Sequence, residues 1–129
     1  MPYMGAHANL ALKVARDGIS NFLNNNTAKL SDDDQNQLLD DITKIDQKRT
    51  AIATMGVIDA VDPHGKLLPK LDQATQCAKT SLDKIASTEA AIQKALTIAG
   101  DVVRLATSIA AMDVNGFATS LNTLITDTH

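Results

Sequence analysis

The chain reads as all-α: an elongated bundle of four to five helices built on a long antiparallel helical hairpin, with residues 1–129 forming a single domain. Three observations predict it. Apolar residues recur at three- and four-residue steps through nearly every long segment, the period of one helix face, and no run alternates as a half-buried strand does. Aromatics are 2% of the 129 residues and Trp is absent, so the 44% that is apolar must build an aliphatic core. After Pro69 no proline interrupts the chain, and a heptad-like recurrence runs through most of that length.

A first helix is expected over Ala6 to Asn24, with Leu10, Ala11, Val14, Ala15, Ile19 and Phe22 on its apolar face. Gly18 weakens it slightly, and Asn24, Asn25 and Asn26 end it, because asparagine tolerates left-handed backbone. Thr27 to Leu30 is then the connection. Ser31 caps a second helix whose first turn carries Asp32, Asp33 and Asp34, where the macrodipole favours anions. Leu38, Leu39, Ile42, Ile45, Ile52, Ala53, Met55 and Val57 continue an apolar face up to the turn Asp62-Pro63-His64-Gly65.

The third helix is expected from about Lys66 to Met112, with Pro69 tolerated in its first turn. Unbroken, it would extend about 70 Å, and Gly100, followed by Asp101 as a cap, is where an irregularity is expected. Its seam is Leu71, Ala78, Ile85, Ile92, Ala99 and Ala106, interleaved with Leu82, Leu96, Val103 and Ala110. Thr75 and Glu89 interrupt that register, and Glu89, the one glutamate in the chain, is expected to meet Lys44 of the second helix in a lateral ion pair. A turn at Asp113-Val114-Asn115-Gly116 leads to a last helix from Phe117 to about Thr126, folding back on Phe117, Leu121, Leu124 and Ile125.

Composition excludes more chemistry than it suggests. Twelve Lys+Arg against fifteen Asp+Glu give a net charge of −3, with no basic stripe or aromatic platform, so nucleic acid is not an expected partner. Gly65-Lys66 ends like a phosphate loop, but Ala60 stands where the upstream glycine belongs and Leu67 where the hydroxyl belongs. Histidines at 7, 64 and 129 are too dispersed for a zinc site, and the Asp32 to Asp34 run lacks the spacing of a calcium loop. No metal and no cofactor are expected. Cys77, the single cysteine, permits no internal disulfide, and its helical neighbours Gln73, Ala74, Thr80 and Ser81 cannot activate it. The Asp101–Arg104 and Asp46–Arg49 pairs read as local ion pairs three residues apart. No catalytic residue emerges, and the chain is not expected to be an enzyme; an enzyme would need a constellation assembled from distant helices.

A surface for another protein is what remains. Ile98, Val102, Leu105, Ile109 and Met112 form a second stripe beside the heptad seam, wider than one neighbouring helix needs, and are the expected partner-binding residues. Six aspartates between Ser31 and Asp46, against lysines 66, 70, 79 and 84 on the segment expected to face them, make the hairpin dipolar. The expected function is a non-catalytic interaction module that self-associates, as a homo-oligomer, or binds a protein partner. The alternative is a secreted or translocated helical protein that associates with membranes through residues 95 to 112, although Asp101 and Arg104 would oppose insertion. The amino-terminal stretch has no basic region or uninterrupted apolar run of a signal peptide, so a cytoplasmic location is expected, with export lacking a cleavable signal as the other route.

Overall fold

A computed structural model describes residues 4–55, 66–85 and 89–128, and among them every regular element is helical. In chain order these are α1 (Met4–Asn26), a 3-10 turn (Thr27–Lys29), α2 (Asp32–Met55), α3 (Leu68–Lys84), α4 (Glu89–Ala110) and α5 (Val114–Asp127). Among the described residues the protein is an all-α bundle of five helices. The expected turn at 62–65, with His64, and Val57 lie outside the described residues.

Each helix end has a local cause. Two side chains close α1 by donating to its last carbonyls: Asn26 Nδ2 to Phe22 O at 2.8 Å and Thr27 Oγ1 to Leu23 O at 2.7 Å. Ser31 caps α2 as the sequence predicts, its Oγ accepting from the amide of Asp34 at 3.1 Å. At the end of α4, Met112 adopts a left-handed φ of 57°. Its amide donates to Ile109 O, and that of Asp113 donates to Ser108 O, the double bond of a Schellman stop. Asp113 then caps α5 by accepting from the Gly116 amide at 2.9 Å, so α5 starts three residues earlier than expected. A Cβ at Gly116 would collide with that carboxylate.

The long third helix is two helices. Gly100 lies within an uninterrupted α4, while the break comes earlier: α3 ends at Lys84, with Ile85 extended at ψ 128°, and α4 begins at Glu89. Ser87 and Thr88, cap-forming residue types ahead of an acidic first turn, are the sequence signal for it. The break redirects the packing. Residues 68–84 lie against α1 and α5, and α4 lies against α2, α5 and α1, so α2 does not face the lysines of α3. Glu89 is exposed rather than in a seam, and Lys44 pairs with Asp40 of its own helix at 2.9 Å.

The core is aliphatic as composition requires. Leu12, Ile19, Leu38, Ile45, Ile52, Leu71, Ile98, Leu105, Ile109 and Leu121 are fully buried around Phe117. Alanines 8, 15, 74, 78, 95, 99 and 106 fill the close contacts. Gly18 sits where α1 approaches α3 closely: a Cβ there would stand 3.1 Å from the Cα of Lys79. Polar pairs fix α1 on α2, where Asn9 Nδ2 donates to Arg49 O, and Arg49 Nη2 returns a bond to Asn9 Oδ1 at 3.0 Å. Asp46 accepts from both Arg49 and Arg16.

Candidate functional site

Of the five expected partner-binding residues, Ile98, Val102, Leu105 and Ile109 have no exposed surface, because α5, α2 and α1 cover α4 from several sides. They hold the monomer together, and a group without exposure cannot meet a partner unless the bundle opens. Met112 alone of the set is exposed, at the α4–α5 turn next to exposed Val114.

The apolar surface that is open to solvent lies elsewhere. Leu10, expected in the core, is 62% exposed. The buried face of α1 is centred on Ala8, Leu12, Ala15 and Ile19, and Leu10, two residues from both Ala8 and Leu12, turns away from it by about 100° per residue. It borders a groove of about 460 Å³ between α1 and α3. From α1 come His7, Leu10, Ala11 and Val14; from α3 come Asp72, Thr75 and Gln76. The small side chains Ala11 and Thr75, both buried, leave the space that longer residues would fill.

At one end of the groove His7 Nε2 lies 2.9 Å from both carboxylate oxygens of Asp72, joining the two helices across the opening. Sequence spacing gave no hint of this pair, since the residues are sixty-five apart. An oriented imidazole is one part of a nucleophilic device, but the hydroxyl of Thr75 donates to the carbonyls of Leu71 and Asp72 and is directed into its own helix. The groove is therefore an apolar trough with a polar clasp.

The remaining chemistry-bearing residues sit apart from it. Asp101 is buried on α4, and its Oδ1 accepts from Arg104 Nη1 at 2.7 Å, the local pair the sequence predicts. Its Oδ2 is buried without a donor among the described residues. Burial pushes this carboxyl up to about 7; Asp127 on α5 adds to the rise by offering an acceptor to the protonated form and by repulsion, and Arg104 opposes it. Asp41 on α2 is likewise buried and raised, chiefly by desolvation, with Gln37 donating to its Oδ1 at 3.0 Å. Neither was legible as a buried acid in the sequence. Among the described residues no group of three His, Cys, Asp or Glu side chains is placed to hold a metal ion, and no helix is long and apolar enough to cross a membrane. Comparison with family models, with curated proteins and with solved structures finds no match to this chain.

Proposed function

We propose that the protein is a non-catalytic helical interaction module that self-associates face to face through the α1–α3 groove. The observation carrying this reading is the juxtaposition of an exposed leucine with an apolar trough on the same face. A two-fold pairing requires a surface that complements itself, and Leu10 of one copy entering the groove of the other meets that requirement twice. Burying a leucine that is largely exposed contributes up to about 1.5–3 kcal/mol per side chain. The groove alone is smaller than the ~1,200–2,000 Å² that stable interfaces bury. Association through it is accordingly weak and reversible.

Sedimentation equilibrium over a wide concentration range tests the reading with wild type and Leu10→Asp. The expected result is a concentration-dependent dimer for the wild type and a monomer for the variant, with equal thermal stability because Leu10 contributes little to the core. A wild type that stays monomeric throughout counts against self-association. Capture of a partner protein by the wild type but not by the variant would keep the module and assign the groove a different occupant.

A further inference from the structure

Further round α3 from the α1–α3 trough lies a second groove of about 410 Å³, within the ~300–1,000 Å³ range of small-molecule sites. Its character is different. Cys77, Thr80, Ser81 and Lys84 line it from α3, Lys94 from α4 and Thr128 from the last turn of the chain. In a protein of net charge −3, two ammonium groups line this one depression, and no carboxylate side chain stands among its described lining residues. Lys79, one turn before, is already neutralised by Asp83 at 2.8 Å, whereas Lys84 makes no ion pair among the described residues. The hydroxyls add donors: Thr80 accepts from Gln76 Nε2 at 3.4 Å, which leaves its own proton to give.

We propose that this groove binds a small phosphomonoester, with the phosphate held by Lys84 and Lys94 and accepting from the Thr80 and Ser81 hydroxyls, and the organic part lying toward Ile85. Lysine serves as a mobile point charge for such a dianion, and the hydroxyls supply short charge-assisted hydrogen bonds. The competing account of Lys84 is that it only complements the carboxyl end of α3. That account leaves the Thr80 and Ser81 hydroxyls on the same groove wall without a role.

The site carries its own reporter. Cys77 is half-buried in the groove and is the only cysteine of the chain, so its modification by methyl methanethiosulfonate, a neutral reagent, reads occupancy directly. Phenyl phosphate, titrated at constant ionic strength, is expected to slow the reaction saturably, while benzyl alcohol leaves the rate unchanged. Lys84→Gln and Lys94→Gln should each raise the phenyl phosphate concentration needed for protection by about tenfold or more, with the circular-dichroism spectrum and Tm retained. Isothermal titration of phenyl phosphate into a Cys77→Ser variant checks binding without the thiol. Absence of saturable protection by phenyl phosphate would overturn the proposal. So would protection that persists undiminished in both lysine variants.

Discussion

Asp101 makes the stability of this protein depend on pH in an unusual direction. A carboxyl that titrates near 3.8 in the unfolded chain and at about 7 in the bundle keeps its proton longer when folded. Between those values the native state binds more protons than the unfolded state, so stability is greatest on the acid side and falls as pH rises through the window from about 4 to 7. Fully developed, a shift of this size corresponds to about 4 kcal/mol. Most of the window lies above pH 5, and the loss expected between pH 5 and pH 8 is about 2–3 kcal/mol. For a chain of 129 residues that lowers Tm by about 9 °C.

The substitution that isolates the effect is Asp101→Asn. Asparagine has the shape of the protonated acid: its carbonyl can accept from Arg104 and its amide can donate to Asp127, the two charged groups that act on Asp101. Urea denaturation of both proteins at intervals from pH 4 to pH 8 is the assay. At pH 5 the two should differ by less than about 1 kcal/mol. At pH 8 the variant should be the more stable, because the wild type must bury an anion facing a second one. Asp41 contributes a slope of the same sign to both proteins and cancels in the difference. Asp127→Asn should move the wild-type loss to higher stability at neutral pH, since it removes the repulsion. Parallel stability profiles for wild type and Asp101→Asn would refute the reasoning.

Two further outcomes follow from the packing. Leu105→Ala removes a fully buried side chain and should cost about 2–5 kcal/mol in urea denaturation; a stable variant that loses only self-association would instead place this residue on a surface. Met112→Gly relieves a left-handed residue at an exposed stop and should raise stability by up to about 1 kcal/mol, read as a higher Tm; a lower Tm would refute it.

The helical class, the cap at Ser31, and the buried positions Leu71, Ala78, Ile92, Ala99 and Ala106 were legible because periodicity and capping are local properties, whereas Asp113, read as part of a turn, is the cap of α5. What the periodicity could not give was the number of neighbours around each helix. Two parallel stripes on 95–109 suggested a face left over for a partner, yet α4 touches α2, α5 and α1 and needs both stripes for its own fold. Leu10 misled in the opposite direction, since residue size is a poor guide where alanines carry the contact. Ala8, Ala11 and Ala15 line the tight face of α1, and the larger leucine is left outside. The His7–Asp72 clasp and the Asp101–Asp127 encounter join residues far apart in sequence, and nothing local announces either.

The same preference for small residues explains where the candidate sites are. A core built from alanine, with a glycine at the α1–α3 crossing, draws backbones together and fills space efficiently along the contact line. Beside that line, short side chains cannot reach across to the next helix, so the flanks of α3 open into grooves on either side of Gln76, which borders both. Their different linings then assign them different chemistry. On the α1 side the wall is leucine, alanine and valine, which gains from covering by another apolar surface. On the α4 side the wall is lysine, hydroxyl and thiol, which gains from an anion. An occupant of one groove shares α3 with an occupant of the other, and a phosphomonoester that tightens the α3–α4 side is therefore expected to alter the dimer constant measured through Leu10. Sedimentation with and without phenyl phosphate reads that coupling, and equal dimer constants would show that α3 transmits nothing between its two flanks.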